Sequence, residues 1–305
     1  FLLQNTPNPE VGSIGGEWAV LALARAGYAV PENYFDNYYT NAEKFVKENI
    51  NDKEQLHRVK STENSRLILA LTAIGKDVTN VAGHDLLAGL SDLDYLKKQG
   101  INGPIWALIA LDSHGYEIPA LIGNGTQATR ENIIAYILDM QLEDGGWALF
   151  GKNADPDMTG MALQALAPYY ETNADVTTAV DKALKCLSDI QLESGGFSSW
   201  GEGENIESCA QVIVALTALG VNPTTDAHFV KANGNPVSAL LTFALKDGGF
   251  KHVASGVVDG MATEQGSYAL VAYARFLNGK TSLYDMSDVE INTNPDAPVP
   301  EDKDI

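Results

Sequence analysis

Two stretches of this chain are near-copies of each other, Gln141-Leu-Glu-Asp-Gly-Gly-Trp147 and Gln191-Leu-Glu-Ser-Gly-Gly-Phe197, and a worn third copy stands at Lys246-Asp-Gly-Gly-Phe250. Self-similarity at a long, steady period marks a repeat architecture, in which one supersecondary unit is stacked many times. Each copy follows an apolar helical pattern and precedes an alanine-rich one, so the unit reads as helix, diglycine turn, loop, helix. The turn has a physical cause. After a helix the chain must reverse through a left-handed residue, and Gly145 and Gly195 adopt that conformation without a Cβ penalty. Gln141 and Gln191 are placed in the last helical turn, where a side-chain amide can bond the reversing backbone while Trp147 or Phe197 packs over it.

Aligning the pattern Ala-Leu-x-Ala-Leu-small extends the repeat to six helices: Ala22-Leu-Ala-Arg-Ala-Gly27, Ala70-Leu-Thr-Ala-Ile-Gly75, Ala107-Leu-Ile-Ala-Leu-Asp112, Ala162-Leu-Gln-Ala-Leu-Ala167, Ala215-Leu-Thr-Ala-Leu-Gly220 and Ala269-Leu-Val-Ala-Tyr-Ala274. Helices apolar around most of their circumference belong inside, and small side chains let neighbours approach closely. Between them lie more amphipathic segments over residues 42–48, 86–98, 132–141, 176–191 and 237–246, which read as outer helices. In the fourth, Val176, Val180, Ala183, Leu184 and Leu187 recur at three and four, with Asp181, Lys182 and Lys185 on the other face. Six inner helices alternating with outer ones can close into a ring with a tapered middle rather than an open solenoid. Only five outer helices are complete; the stub Phe1-Leu2-Leu3 is either the end of a sixth or leaves its place empty.

The boundaries that follow are an N-terminal stub over residues 1–14, a helical repeat domain over 15–290 and a linker over 291–305. That last stretch is proline-rich, acidic and without periodicity, which is linker composition and leads us to expect a further domain beyond it. The start at Phe1, with no basic segment before the apolar stub, suggests a removed signal peptide or a trimmed chain. The 305 residues are 45% hydrophobic and contain no apolar run long enough to cross a bilayer. A formal net charge of -20 argues against nucleic acid and anionic membrane surfaces, which would repel the chain, and leaves cationic or neutral partners. The two cysteines, Cys186 and Cys209, each fall in a helical pattern and read as free, buried thiols.

The motif Gln141-x-x-x-Gly145-x-Trp147 resembles the Gln/Trp motif of squalene and hopene cyclases, and the six-fold double-helix pattern resembles the terpenoid cyclase and protein prenyltransferase toroid superfamily over about residues 10 to 290. More closely, Asp155-Pro-Asp-Met-Thr-Gly-Met-Ala-Leu-Gln-Ala-Leu-Ala-Pro168, with Tyr284-Asp-Met-Ser-Asp288, resembles the squalene-cyclase-like repeat domains of Gram-positive bacterial surface proteins. The resemblance implies an all-α, (α/α)6 toroid and an extracellular, cell-surface setting; it supplies a fold and an address more than an activity.

Because every diglycine turn leads through a loop into an inner helix, the inner-helix starts should emerge at one rim. Ten positions before the six aligned ends stand Glu17, Ser65, Asn102, Asp157, Ala210 and Glu264. Five of these can accept hydrogen bonds at a helix start, so N-capping or first-turn charge accounts for them; a carboxylate-lined mouth, enriched by Asp155 and Glu207, is the functional alternative. Three enzyme templates from the superfamily fail there at named residues. The Asp-x-Asp-Asp proton donor of class II terpene cyclases becomes Asp155-Pro156-Asp157-Met158, keeping two carboxylates that still leave Asp157 open as a general acid. The prenyltransferase zinc site of Asp, Cys and His is matched only by Glu207 and Cys209, with His252 upstream in a loop. The thioester motif becomes Ala262-Thr263-Glu264-Gln265, whose nucleophile is alanine. Aromatic faces for a cation would come from Trp18, Trp106, Trp147, Trp200 and Tyr268.

A binding role survives these subtractions better than catalysis. The reading is a noncatalytic surface toroid that takes an unidentified small molecule or surface partner at its acidic rim through Glu17, Trp18, Asp155, Asp157, Glu207, Glu264, Gln265 and Tyr268, with no metal and no membrane insertion. By analogy with the superfamily's cobalamin carriers a corrinoid is one candidate, for which His114, His228 and His252 are the available imidazoles. The alternatives are a divergent terpenoid-cyclase-like enzyme using Asp157 as its acid, and a structural spacer without a ligand.

Overall fold

The structure is a computed structural model that describes residues 1–199, 201 and 203–293. Its regular structure is almost all helical, with twelve α-helices and one two-residue pair of strands among the described residues. The described residues divide into two compact units, one of residues 2–133 with 284–293 and one of residue 1 with 134–283.

In the first unit three alanine-rich helices pack in sequence. They follow α1 (Leu2–Asn5) and are α2 (Glu17–Ala26), α4 (Thr62–Ala73) and α6 (Asn102–Asp112), with α2 against α4 and α4 against α6. Residues 103 to 111 of α6 are all buried, as a helix without a polar face requires. Around them lie α3 (Tyr34–Asn49), α5 (Leu93–Leu96) and the start of α7 (Arg130–Asp139). α3 buries one stripe, Tyr34, Tyr38, Tyr39, Ala42 and Val46. The outer helix expected over 86–98 is broken into two 3-10 turns flanking α5. Its interruption lies at Asp92, which is extended, caps α5 through the Asp94 and Tyr95 amides, and pairs with Gln127. Leu93 N–H donating to the Thr126 carbonyl at 2.9 Å and Ala128 N–H to the Ser91 carbonyl at 2.8 Å complete that exchange of helix for bridge.

The segment Tyr284-Asp-Met-Ser-Asp288 belongs to this same unit. Arg25 donates to Asp288 Oδ1 and to the Asp285 carbonyl, each at 2.7 Å, and Tyr284 meets Trp106 edge-on with centroids 5.9 Å apart. Asn292 N–H donates to the Gly75 carbonyl at 2.7 Å, so the expected linker is tied to the unit at its second residue. Residues 294–305 lie outside the described residues.

The second unit repeats the plan with α8 (Pro156–Leu166), α10 (Ile206–Ala218) and α12 (Gly260–Leu277) packed in sequence. α9 (Ala174–Ile190) packs on α8 and α11 (Pro236–Leu241) on α10. α9 has the expected stripe, burying Val176, Ala179, Val180, Ala183, Cys186 and Leu187. Helices α8 and α10 approach closely at Gly160, where a Cβ would lie 2.9 Å from the Gln211 backbone. α11 ends at Leu241, short of the expected 246, because the next residues pair instead of coiling. Ala244 bridges Phe250, and Lys251 N–H donates to the Phe243 carbonyl at 3.1 Å. That pairing leads into β1 (Phe250–Lys251) and its antiparallel partner β2 (Val258–Asp259).

Candidate functional site

The diglycine turns set the register of everything that follows them. In each copy a leucine N–H donates to the second glycine's carbonyl and the first glycine's N–H donates back to that leucine, at 2.9 to 3.0 Å for Leu142, Leu192 and Leu245. Gly145, Gly195 and Gly248 stand at φ 94, 89 and 94 degrees, where only glycine is unstrained. Gln141 and Gln191 lie just beyond the ends of α7 and α9 rather than inside the last turn. Their amides do bond the reversing chain: Gln141 Nε2 donates to the carbonyls of Gly145 and Ala179 at 2.7 and 2.8 Å, and Gln191 Nε2 to those of Gly195 and Phe229 at 2.7 and 3.0 Å. Trp147 and Phe197 are fully buried, which fits them as packing residues rather than ligand-facing aromatics.

The aromatic residue then docks on the fourth residue of the next alanine-rich helix. Trp147 N–H donates to Thr159 Oγ1 at 2.9 Å and Phe250 N–H to Thr263 Oγ1 at 3.0 Å, while the Phe197 amide faces Cys209. The helices therefore start in register: Asp155, Asn205 and Asp259 are N-caps, each accepting from a backbone amide three residues on. The second residues are Asp157, Glu207 and Met261. This corrects the register taken from the aligned ends. Counting back ten lands on the second residue of α8 but on the fifth of α10 and α12, because the aligned ends Ala167, Gly220 and Ala274 stand 11, 14 and 14 residues after the first residues of these helices, Pro156, Ile206 and Gly260.

Asp157 and Glu207 accordingly sit at the starts of adjacent helices. His252 joins them: its Nδ1 lies 2.6 Å from Glu207 Oε2. The backbone holds it there, since Ile206 N–H donates to the His252 carbonyl at 3.2 Å and Asn205 bridges Val253. Burial, then the charge of Asp155 and that of Glu207, push the Asp157 carboxyl up to about 7, against the opposing pull of Ser208 and His252. Burial raises Glu207 as well, helped by Asp259 and opposed by its own backbone amide and His252. Asp155 is raised by burial and held back by the Met158 and Asp157 amides. Three buried atoms here meet no protein partner at full hydrogen-bond geometry, Asp157 Oδ1, Glu207 Oε1 and Ser208 Oγ, although the Ser208 hydroxyl stands close enough to Asp157 to lower its carboxyl. Glu207 is 6% exposed and Ser208 0%, while the His252 side chain is 41% exposed, so the cluster opens beside the imidazole.

The other sequence candidates go elsewhere. Glu17 is fully buried in the first unit, its Oε2 accepting from the Gly12 amide at 2.9 Å and from Arg66 Nε at 3.1 Å. Trp18 stacks at a tilt on Trp106 with centroids 5.1 Å apart. Glu264 and Tyr268 are buried on α12. Gln265 and Tyr268 end an amide ladder, in which Gln164 Nε2 donates to Gln211 Oε1 at 3.0 Å and Gln211 Nε2 to Gln265 Oε1 at 2.9 Å and Tyr268 Oη at 2.6 Å. Trp200 lies outside the described residues. Cys209 is fully buried and its thiol is pushed up to about 12, mainly by burial, so it points into the core as a thiol rather than joining Glu207 and His252 as a ligand. His114 and His228 serve loops, at 3.0 Å from the Val289 carbonyl and 3.1 Å from Asp226. A surface depression of about 300 Å³ between α7 and α9, lined by Gln141, Asp175 and Lys182 among others, holds none of the clustered carboxylates.

The sequence reading placed His252 apart from Glu207 and passed over Ser208. The third diglycine copy carried the signal. His252 stands two residues after Phe250, on the loop that leads to an inner-helix start.

No family model and no curated relative matches this chain. Solved structures do. A Candida albicans protein geranylgeranyltransferase-I, complexed with GGPP, matches at TM-score 0.58 and 11% identity over 95% of this chain and 94% of that one. A type II terpene cyclase from Scytonema matches at 0.56 and 12%, over 85% and 88%. The unsaturated glucuronyl hydrolase of Bacillus sp. GL1 matches at 0.55 and 12%, over 91% and 89%. The chain is an α/α toroid. This is the fold implied by the diglycine turns, and among the matching toroids are enzymes of quite different chemistry.

Proposed function

We propose that this toroid is a ligand-binding domain whose site is the pair of helix starts at α8 and α10, formed by Asp157, Glu207, Ser208 and His252. The observation that carries the reading is the set of three buried atoms, Asp157 Oδ1, Glu207 Oε1 and Ser208 Oγ, that meet no protein partner at full hydrogen-bond geometry. Each such atom costs roughly 1 to 3 kcal/mol when unsatisfied, and a bound ligand recovers that cost. An extracellular, cell-surface setting is part of the proposal, supported by the likeness of Asp155-Pro-Asp-Met-Thr-Gly-Met to surface repeat domains and by the acidic, proline-rich stretch after residue 290. The test is a screen of amines, oligosaccharides, corrinoids and polyprenyl diphosphates, read by the imidazole resonances of His252. A ligand that shifts them in the wild type but not in Asp157→Asn or Glu207→Gln supports the reading; a screen that moves nothing at His252 removes it.

A second reading is enzymatic, with Asp157 as general acid. What favours it is a carboxyl raised to about 7 beside a second carboxyl and an imidazole, the pairing of environments by which a fold tunes an acid for work near neutrality. Turnover of polyprenyl or unsaturated glucuronyl substrates by the wild type, abolished in Asp157→Asn, would establish it; absence of turnover on both classes would end it.

A further inference from the structure

Resting on the binding reading above, we propose that the Asp157 and Glu207 site takes a primary alkylammonium, a small organic cation with an apolar body. The first argument is charge. From α8 the site is faced by Asp155 and Asp157, from α10 by Glu207, and from the hairpin by His252, with Asp259 acting on Glu207 through its charge. Four carboxyl groups against one imidazole repel a carboxylate or phosphate and attract a cation.

The second argument is the count of acceptors. An ammonium carries three N–H donors and no acceptor. The site offers three buried atoms that can accept and that meet no protein partner at full hydrogen-bond geometry, Asp157 Oδ1, Glu207 Oε1 and Ser208 Oγ, with the Ser208 hydroxyl lying close to Asp157. Ser208 is wholly inaccessible and Glu207 nearly so, so their unpaired atoms are satisfied by a small group that enters rather than by bulk solvent. A divalent metal is the poorer occupant, because among the described residues no group of three or more His, Cys, Asp and Glu side chains is arranged to hold one.

The third argument is the apolar surface beside the opening. Val257, Val258 and Met261 are 81, 48 and 41% exposed. Val258 pairs with Lys251 across the hairpin, next to His252 in sequence, and Met261 is the helix-start counterpart of Asp157 and Glu207. Large exposed apolar side chains at the end of the hairpin and the start of α12, close along the chain to His252, fit the body of an amphiphilic cation.

The experiment is calorimetric titration and His252 NMR with three probes of one chain length, n-octylammonium, n-octanol and n-octanoate, at pH 7.5. Octylammonium is expected to bind and octanoate not. Glu207→Gln and Asp157→Asn weaken it by about tenfold or more, as loss of a hydrogen bond to a charged group does. Ser208→Ala weakens it several-fold, and the exposed pair Val257→Ser with Val258→Ser does so without altering the thermal midpoint, which guards against a buried variant that misfolds. Octylammonium binding unchanged in all of these variants overturns the proposal. If octanol or octanoate binds instead and is lost with Asp157→Asn, the site stands and its ammonium specificity falls. If none of the probes moves His252, the ammonium proposal falls while the broader screen still decides the site.

Discussion

The two units solve the same electrostatic problem differently. Each places a buried carboxylate in the first turn of an alanine-rich helix, Glu17 on α2 and Glu207 on α10. Glu17 faces Arg66, whose Nε is 3.1 Å away and whose Nη2 reaches Glu63 at 2.6 Å. Glu207 faces His252, a base that carries charge only when protonated and is two-fifths exposed. Burial raises the carboxyl in both places. In the first unit a permanent guanidinium, itself largely buried, answers that burial; in the second the nearest charges are mostly other carboxylates. A first-turn acid is thus a structural fixture where an arginine locks it and a candidate site where its charge is left to a histidine and whatever binds.

The largest effect should come from unlocking the fixture. Arg66→Ala leaves Glu17 buried without its cation, and removal of one partner of a buried ion pair costs about 3 to 5 kcal/mol. Urea unfolding should report a loss of that size, with ligand binding at Glu207 unchanged. A loss below about 1 kcal/mol would mean that Arg66 does not hold Glu17 in place, and the contrast between the units would go with it.

Asp157 offers the opposite experiment, since its burial is not answered. Its carboxyl is raised from 3.8 to about 7 in the folded chain. The folded state therefore holds the proton more tightly than the unfolded one, so this group favours folding below about pH 4 and that contribution is lost as pH rises through 7. About three units correspond to roughly 4 kcal/mol as an upper bound. Asp157→Asn should raise the free energy of urea unfolding at pH 8 by roughly 2 to 4 kcal/mol and change it little at pH 4. Asp155 and Glu207, raised in the same direction, leave a residual slope in the variant. An unchanged slope between pH 4 and 8 would remove Asp157 from the cluster.

A middle-sized effect tests the turns themselves. Gln191→Ala deletes a buried amide that bonds Gly195 and Phe229, and the two carbonyls it leaves should cost about 1 to 3 kcal/mol in thermal or urea unfolding. Loss of less than about 0.5 kcal/mol would make the glutamine incidental to the turn.

The sequence made most of the helical scaffold legible because its signals are local. The Ala-Leu-x-Ala-Leu pattern marks apolar helices by period, and the diglycine copies mark reversals by the one residue that tolerates φ near 90 degrees. Outer helices were less legible where side chains compete with the helix, as Asp92 does by capping and bridging. The site was half legible. Asp155, Asp157 and Glu207 are visible as acids near helix starts, but their register was taken from the aligned pattern ends, and the pattern stands about one turn further from the start in α10 and α12 than in α8. His252 was invisible as a partner of Glu207 because 45 residues separate them and a pair of two-residue strands brings them together. Such short strands have no period to read.

The smallest effect is the one that separates fixture from site most sharply. His252 is exposed enough that its ion pair with Glu207 should be worth no more than about 1 kcal/mol, so His252→Ala should scarcely move the unfolding midpoint. It should still move a titration. His252 lowers the Glu207 carboxyl both by its hydrogen bond and by its charge, and its removal leaves burial and Asp259 unopposed except by the backbone. The carboxyl carbon resonance of Glu207 should then titrate at a higher pH in the variant than in the wild type, with stability nearly unchanged. If His252→Ala instead costs as much as Arg66→Ala, the imidazole is as structural as the guanidinium, and the two helix starts differ in residue type without differing in role.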